Sequence, residues 1–540
     1  MEMPKARTIA GLMDEMAQRY PDQEFIVYGD ERVTYAQFRE RVRRLAKGLY
    51  KLGVRRGDHV ALLMGNQTEF LDVLFAVGLL GGTTVTVNTW YKTHELEYVL
   101  NHCDATTLIM AERFLNQDYV GMLRELKVPG EGIPAMQRVI CASDKSFPGL
   151  LKYSDMLADG ADVPDGEIDA AQAAVDKEDI AFMLYTSGTT SFPKGAQIQH
   201  FGLIENMWGI GERLHLVPGD RLWLGVTLFW GLACENGLFA LMTHAGCLVV
   251  QHSFEPAEAM ALMERERCTV YYGMPNMTLA MLEHPDFARR DLSSLRTGVT
   301  LGTPELMKRA IELGVKQICQ CYGLTESYGN CSVNDADDPE EIRTTTIGRV
   351  LPGSEMVIGD PTTHAPMPDG ELGEIKIKGY VMAGYYKAPD KNAEAFDQDG
   401  YFHSGDMGWK DEQGYFHFHS RLKEMIKSGG INVAPAEVEE FLANQPGVSD
   451  VAVVGVPDPV KMEVLAACIV PKPGVTLDAA AIQAACKASL ATYKVPRYIR
   501  FVTRDELPMT ATGKVRKVEL KETMAAWVSQ AEAAAGKAGA

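Results

Sequence analysis

The strongest constraint on the fold is an alternation of strand-like and helical segments along the first part of the chain. Thr34–Lys51 and Thr68–Leu80 carry apolar residues at helical spacing, and Thr34 is placed to cap the first of these helices. Short apolar runs such as Thr84–Val87 and Thr107–Met110 are strand-like. Strands that alternate with helices pair in parallel and are covered on both faces. The pattern predicts an α/β fold built on stacked sheets.

The pattern changes after residue 340, where strand-like runs are separated by Gly and Asp turns. Glu374–Lys378 and Tyr415–His419 are two such runs, and the second alternates at period two. These runs indicate a small antiparallel region that resembles a β-barrel.

A compact mixture of helical and strand-like segments begins near Lys423. A chain of 540 residues is too long for one compact core of ordinary size, so more than one domain is expected. We therefore predict a large N-terminal domain over residues 1–422 and a small α+β domain over residues 423–540.

The charge balance of the chain disfavours nucleic acid as a partner. The formal net charge is −19, with 53 Lys and Arg against 72 Asp and Glu. This balance repels nucleic acid, so we expect no nucleic-acid partner.

The apolar stretches are interrupted before they reach the roughly 20 residues of a membrane span, so no integral membrane segment is expected. The few scattered cysteines and the start without an apolar core predict a cytoplasmic protein.

The most informative segment is Tyr185–Gly195, which reads YTSGTTSFPKG and follows a strand-like run. Its five hydroxyl side chains, two glycines and Lys194 are typical of a loop that binds phosphate, since glycine exposes backbone N–H groups. It is not a Walker A loop, because the GxxxxGK[ST] pattern is absent. Taken by its composition alone, it also fits a flexible surface loop.

Two further segments suggest nucleotide binding. Tyr322–Ser327 reads YGLTES, and its carboxylate could hold Mg²⁺ while its aromatic ring stacks on a base. Tyr401–Gly408 reads YFHSGDMG, and an Asp after Gly in a turn can bind both hydroxyls of a ribose. Each of them, taken alone, also fits an ordinary turn.

Basic residues mark two later segments. Arg421 and Lys423 are followed by the flexible Lys427–Gly430, and Pro508–Lys514 reads PMTATGK. Taken alone, the first fits a solvated linker and the lysine of the second fits an ordinary exposed side chain.

The five segments together, in this order and at this rough spacing, resemble the adenylate-forming superfamily. That superfamily contains acyl-CoA synthetases, adenylation domains of peptide synthetases and firefly-type luciferases, and the resemblance covers essentially the whole chain. It implies a large N-terminal domain joined by a short hinge to a small mobile C-terminal domain. It also implies an acid–CoA ligase that uses ATP and Mg²⁺ to form an acyl-adenylate and then transfers the acyl group to coenzyme A.

Three alternatives share these motifs. A stand-alone adenylation enzyme would load a carrier protein instead of coenzyme A. A luciferase-like oxygenase uses the same loops. A non-catalytic nucleotide-binding paralogue is disfavoured by Lys514, because a binding protein does not need it.

The resemblance assigns roles in the N-terminal part of the chain. The ATP phosphates are held by the loop residues Thr186, Ser187, Gly188, Thr189, Thr190 and Lys194. Adenine is contacted by Tyr322, Gly323, Gly302, Thr303 and Pro304. Thr325 contacts the α-phosphate, and Glu326 with Thr186 holds Mg²⁺.

The resemblance assigns further roles nearer the C-terminus. Asp406 binds the ribose hydroxyls with the help of Arg421, and Lys423 is the hinge. Lys514 reaches the acyl carboxylate and the α-phosphate during adenylation. The pantetheine arm of coenzyme A passes Ser428, Gly429 and Gly430.

The chain departs from its relatives at Trp230, which stands where most of them have a histidine. The acyl pocket is expected to include Trp230, Cys234, Thr300 and Gly302. A tryptophan with few charges around it favours an apolar acid, which is fatty, alicyclic or aryl, and a medium or longer aliphatic chain fits best. The resemblance also allows a homodimer.

Overall fold

The computed structural model of the protein describes residues 2–186, 193–428, 431–433, 435–458, 462–490, 494–510 and 514–538. The chain forms two compact units. Unit 1 consists of Met1–Val357, Lys376–His403 and Asp411–His417. Unit 2 consists of Ile358–Ile375, Ser404–Lys410 and Phe418–Ala540. The domain boundary predicted between residues 422 and 423 stays a prediction.

The described residues form helices in both units. These are α1 Ile9–Arg19, α2 Tyr35–Lys51, α3 Thr68–Leu79, α4 Thr93–His102, α5 Tyr119–Glu125, α6 Tyr153–Asp159, α7 Asp165–Ala173, α8 His200–Arg213, α9 Leu238–Thr243, α10 Pro256–Arg265, α11 Pro275–Leu282, α12 Pro304–Leu313, α13 Glu340–Thr345, α14 Pro389–Ala395, α15 Pro435–Ala443, α16 Ala479–Ser489 and α17 Lys517–Ala538.

The strands up to residue 250 are β1 Glu24–Tyr28, β2 Glu31–Thr34, β3 His59–Leu63, β4 Thr83–Thr86, β5 Thr107–Ala111, β6 Arg113–Phe114, β7 Gln117–Asp118, β8 Arg138–Ala142, β9 Leu151–Lys152, β10 Ile180–Thr186, β11 Lys194–Gln199, β12 Arg221–Leu224 and β13 Cys247–Val250.

The later strands are β14 Val270–Tyr272, β15 Thr297–Thr300, β16 Gln317–Tyr322, β17 Ser332–Val333, β18 Arg349–Val350, β19 Glu355–Gly359, β20 Gly373–Lys378, β21 Gly384–Tyr385, β22 Phe402–Lys410, β23 Phe416–Arg421, β24 Ile426–Ser428, β25 Ile431–Val433, β26 Val448–Asp458, β27 Met462–Pro471 and β28 Tyr498–Phe501.

The predicted helix over Thr34–Lys51 is confirmed as α2. The Thr34 hydroxyl accepts a hydrogen bond from the backbone N–H of Gln37 at 3.2 Å, and the Gln37 side chain accepts one from the Thr34 N–H at 2.9 Å. This reciprocal capping box fixes the first turn.

Unit 1 contains two large mixed sheets whose centres are parallel. One sheet has the order β18-β17-β16-β15-β14-β12-β13-β1-β2, and the strands from β16 to β1 run parallel. The other has the order β21-β11-β10-β4-β3-β5-β8-β9, with β10 to β9 parallel. The predicted α/β fold with stacked sheets is confirmed; the antiparallel strands lie at the sheet edges.

Between Glu355 and Arg421, all strands except β21 form a four-stranded sheet with the order β19-β20-β22-β23. The boundary between the two units crosses the chain inside these strands. This is the segment predicted to be barrel-like, and closure into a barrel stays a prediction.

Unit 2 is built on the sheet β25-β24-β27-β26, to which β28 adds in parallel beside β27. Alternate residues of β26 and β27 pack on opposite faces, as the period of two requires. On one face Val454 and Ala466 pack in a cluster with Met524 of α17. On the other, Val453 packs in a cluster with Leu442 of α15. The predicted small α+β domain is confirmed as a fold class.

None of the described helices combines the length and hydropathy needed to cross a bilayer. All ten cysteines are buried as free thiols.

Candidate active site

Three predicted segments follow neighbouring strands of the first sheet in unit 1. Strands β14, β15 and β16 pair in parallel, with Thr300 opposite Gln320. Thr300–Pro304 therefore follows β15 at the same edge at which Tyr322–Glu326 follows β16. The strand β12 also runs parallel to β14, and it leads to Thr227–Trp230. Ligands of open α/β sheets bind at the carboxyl ends of the strands, so this edge is the candidate site.

The carboxylate of Glu326 is the centre of a buried hydrogen-bond network. Its Oε1 accepts from the Thr186 hydroxyl at 3.3 Å and from the Tyr385 phenol at 2.7 Å. The backbone N–H of Met382 donates to the Glu326 carbonyl oxygen at 2.7 Å. No hydrogen bond from a described residue reaches Oε2. A buried carboxylate beside a hydroxyl is a hard-oxygen donor set that fits Mg²⁺.

Sequence reasoning missed Tyr385. Its position depends on the antiparallel pairing of β21 with β11, in which Tyr385 lies opposite Ala196. This long-range contact leaves no local signal in the sequence. Burial, and secondarily the charge of Glu326, raises the pKa of Tyr385 well above its usual range, so the phenol remains a hydrogen-bond donor.

The two ends of the phosphate-loop segment lie in paired strands of the sheet. Thr186 ends β10 and pairs with Lys194, which begins β11. This pairing puts Thr186 and Lys194 opposite each other at the base of the loop. The Lys194 ammonium lies 4.1 Å from the centre of the Tyr385 ring, within the range of a cation–π contact. The loop residues Ser187, Gly188, Thr189 and Thr190 lie outside the described residues.

The predicted adenine segments require glycine at two positions. A side chain on Gly323 would collide with Asn330, and Gly302 has a φ of +146°. Thr303 is the N-cap of α12, and Pro304 is its first residue. Tyr322 is 8% exposed, so its ring is largely packed inside unit 1.

The predicted acyl-pocket residues differ in burial. Trp230 is half-buried, and its ring lies 5.3 Å from Trp90 and 5.4 Å from Phe229 in edge-to-face contacts. Cys234 is fully buried, and this burial raises the pKa of its thiol. Thr300 is buried, and its hydroxyl donates to the Gly273 carbonyl at 2.7 Å. Of these three side chains, only that of Trp230 is partly exposed.

Asp406 and Arg421 form an ion pair inside unit 2. Asp406 is 1% exposed, and its Oδ1 lies 2.8 Å from Arg421 Nε. Its backbone N–H donates to the Ser404 hydroxyl at 3.0 Å, and that hydroxyl donates to the Ile375 carbonyl at 2.5 Å. These contacts hold the turn that carries Asp406 in one geometry.

Lys514 belongs to the same cluster of charges. Its backbone N–H donates to the Thr510 hydroxyl at 3.0 Å. The residue as a whole is exposed, yet the protein around it desolvates the ammonium group and lowers its pKa. The positive charge of Arg421 lowers this pKa further, whereas Asp406 and Glu424 oppose the shift. The structure therefore brings Asp406, Arg421 and Lys514 together in unit 2.

The predicted hinge and coenzyme A residues stay predictions. Lys423 lies in a 3-10 turn, Leu422–Glu424, and Ser428 is buried at the end of β24. Gly429 and Gly430 lie outside the described residues. Glu424, next to Lys423, forms a salt bridge of 3.0 Å with Lys517.

The comparisons with known proteins decide the family. A model for AMP-binding enzymes matches residues 13–386, and one for the AMP-binding enzyme C-terminal domain matches residues 437–514. The chain belongs to the AMP-binding enzyme family. Within this family it lies in the acyl-CoA synthetase branch, as the resemblance indicated.

Three relatives of this AMP-binding enzyme illustrate its place. YngI of Bacillus subtilis (strain 168) is 38% identical over 95% of this chain and 96% of its own. The mitochondrial medium-chain acyl-CoA ligase ACSF2 of Bos taurus is 34% identical over 96% of this chain and 88% of its own. The crystal structure of the anthranilate CoA ligase AuaEII with anthranoyl-AMP matches with a TM-score of 0.85 and 27% identity, covering 98% of this chain and 100% of that one.

Proposed function

We propose that this acyl-CoA synthetase converts an apolar carboxylic acid, ATP and coenzyme A into the acyl-CoA thioester, AMP and pyrophosphate. The observation that carries the proposal is the network around Glu326, in which a hydroxyl and a phenol converge on one carboxylate. The half-buried Trp230 and its aromatic neighbours favour an apolar acid, and the similarity to ACSF2 favours a medium-length aliphatic chain.

In this proposal, Glu326 and the Thr186 hydroxyl hold Mg²⁺, and Lys194 binds the β- and γ-phosphates. Bound there, Mg²⁺ would neutralise phosphate charge and make pyrophosphate a better leaving group. The Tyr385 phenol fixes the orientation of Glu326 through its 2.7 Å hydrogen bond. Asp406 binds the two ribose hydroxyls, since a buried carboxylate accepts several hydrogen bonds.

Lys514 is proposed to act in the first chemical step. An oxygen of the acid attacks the α-phosphorus, pyrophosphate leaves, and an acyl-adenylate remains. Because a carboxylate and a polyphosphate repel each other, a preorganised cation beside both lowers the barrier. In the second step the sulfur of coenzyme A attacks the acyl carbon, and AMP leaves with one of the former carboxylate oxygens.

Two further parts of the proposal are independent of the chemistry. We propose that the protein acts in the cytoplasm, with its acid, ATP and coenzyme A as partners, and that it forms a homodimer. Size-exclusion chromatography with light scattering tests the dimer, and a mass equal to one chain contradicts it.

The test of the proposed function is an assay of pyrophosphate release with ATP, Mg²⁺ and a panel of acids. The panel contains straight-chain acids of increasing length, cyclohexanecarboxylic acid and benzoic acid. We expect sustained release only when coenzyme A is present, with the best kcat/KM for a medium-length straight chain. Release that needs a carrier protein instead of coenzyme A would contradict the proposal.

A further inference from the structure

Two stacked side chains on helix α4 contact the phosphate-loop segment near both of its ends. Tyr98 and His102 are four residues apart, so they lie on the same face of the helix. Their ring centres are 5.5 Å apart, and the rings are inclined by 24°. Both residues are half-buried, and the mechanism above uses neither of them.

His102 contacts the residue at the start of the segment. Its Nδ1 lies 2.7 Å from the phenol oxygen of Tyr185. Burial raises the pKa of Tyr185 well above its usual range, so this phenol remains protonated. Burial, and secondarily the charge of Lys387, lowers the pKa of His102, while Asp104 opposes the shift. A neutral imidazole has one accepting nitrogen, and the phenol donates to it at Nδ1.

Tyr98 contacts the segment near its other end. Its phenol donates to the Pro193 carbonyl oxygen at 3.4 Å, which is a longer and weaker bond than the one made by His102. Burial raises the pKa of Tyr98, so this phenol is also a donor. One face of α4 is therefore bonded to Tyr185 and to Pro193.

The two contacted residues are the chain neighbours of two groups with proposed roles. Tyr185 directly precedes Thr186, which is proposed to hold Mg²⁺, and Pro193 directly precedes Lys194, which is proposed to bind phosphate. Because a misplacement of about 1 Å can cost roughly 100-fold in rate, the position of the strand ends that carry these groups matters. Contacts that fix Tyr185 and Pro193 also fix Thr186 and Lys194.

A third contact supports the same region. The backbone N–H of Tyr386 donates to the Gly195 carbonyl oxygen at 2.9 Å, directly after Lys194. The Tyr386 phenol donates to Asp104 Oδ2 at 2.7 Å, and Asp104 follows α4 by two residues. The ring of Tyr386 lies edge-on to that of His102, with centres 6.0 Å apart. The start of β11 is thus connected to the end of α4 by a second route.

We propose that Tyr98 and His102 are positioning residues, which place Thr186 and Lys194 to bind the phosphates of Mg²⁺-bound ATP. The inference rests on the proposed function of Thr186 and Lys194 and adds two residues that act on the nucleotide through them. Thioester formation starts from acyl-AMP, which has lost the β- and γ-phosphates. The two positioning residues therefore act on the first step and leave the second unaffected.

The first test measures the Kd of ATP with Mg²⁺ by isothermal titration calorimetry, without acid or coenzyme A. His102→Leu removes the accepting nitrogen and should raise the Kd by about fivefold, which corresponds to a net hydrogen-bond contribution of about 1 kcal/mol. His102→Asn should keep the Kd near that of the unsubstituted protein, because its amide oxygen is bonded to Cγ, as Nδ1 is. The control His94→Leu, at an exposed histidine of the same helix, should leave the Kd unchanged.

Two outcomes of this titration would overturn the inference. One is an unchanged Kd in His102→Leu, and the other is an equal rise in His102→Leu and His102→Asn. A second measurement separates positioning from a general loss of structure. Thioester formation from supplied acyl-AMP and coenzyme A should be the same in His102→Leu and the unsubstituted protein. A loss in this step as large as the loss of ATP affinity would contradict the positioning role.

Tyr185→Phe replaces His102→Leu if melting shows that the latter does not fold. It removes the same hydrogen bond, keeps the ring and should raise the Kd of ATP by about the same factor, and an unchanged Kd would overturn the inference. The titration also separates the inference from the proposed function. If no acid gives coenzyme A-dependent pyrophosphate release, the proposed function fails and the Kd values still decide the inference. A protein that does not bind ATP would overturn both.

Discussion

The phenol of Tyr385 donates a 2.7 Å hydrogen bond to the carboxylate of Glu326. The bond connects strand β21 to the 3-10 turn Thr325–Ser327, two elements that lie far apart along the chain. Because Tyr385 remains protonated, it donates to the carboxylate and would not compete for the proposed Mg²⁺. The ring of the same residue lies against the Lys194 ammonium, so one side chain positions two groups proposed to act on the phosphates.

Tyr385→Phe should separate these two roles. The substitution removes the hydrogen bond to Glu326 and keeps the aromatic ring beside Lys194. Loss of a group that orients a metal ligand typically costs about 10- to 100-fold in metal affinity or activity. We expect the Mg²⁺ concentration for half-maximal pyrophosphate release to rise by about this factor, with little change at saturating Mg²⁺. The comparison is Tyr385→Leu, which also loses the ring and should in addition raise the KM for ATP.

Lys514→Ala should impair only the adenylation step. Removal of one preorganised charged donor costs roughly 10² to 10³ in rate. Acyl-AMP formation in a single turnover should fall by at least this factor, whereas thioester formation from supplied acyl-AMP and coenzyme A should be nearly unchanged. Equal losses in both steps would contradict the assignment of Lys514 to adenylation.

The pH dependence of adenylation should report the titration of Lys514. Its pKa is below the usual lysine value of about 10.4, because desolvation and Arg421 disfavour the charged form. The charged fraction therefore decreases as the pH rises through this lowered pKa. We expect acyl-AMP formation to decline at alkaline pH below 10.4, and Lys514→Arg to move this decline to higher pH. A decline at the same pH in both proteins assigns it to another group.

Trp230→Ala should change the choice of acid rather than the use of ATP. If the half-buried indole forms a wall of the acyl pocket, its removal should favour bulkier acids by about 1–3 kcal/mol in kcat/KM. The matched control is Trp223→Ala, because Trp223 is fully buried in the sheet. That variant should instead lose roughly 3–5 kcal/mol of stability and reduce kcat/KM for all acids alike. An unchanged ranking of acids with a large drop in Tm would show that Trp230 is also a core residue.

Local features of the fold could be predicted from the sequence. The capping pair of Thr34 and Gln37 lies within one turn, so the start of α2 depends on neighbouring residues alone. The strand and helix alternation likewise predicted parallel sheets. The order of the strands was not predictable, because it depends on which distant segments pair.

The same distinction holds for the candidate site. Lys194 and Glu326 are recognisable because each lies in a continuous motif. Tyr385 is not, since its position depends on a long-range strand pairing. It became visible only through its contacts with Glu326 and Lys194.

The central claim is that the acid attacks the α-phosphorus of ATP, and isotope transfer tests it most directly. The enzyme is given its best acid with both carboxylate oxygens labelled as ¹⁸O, together with ATP, Mg²⁺ and coenzyme A, and the products are analysed by mass spectrometry. The account predicts that AMP carries one ¹⁸O atom and that pyrophosphate carries none. Label in inorganic phosphate, with ADP as the nucleotide product, would contradict it, because the acid would then have attacked the γ-phosphorus.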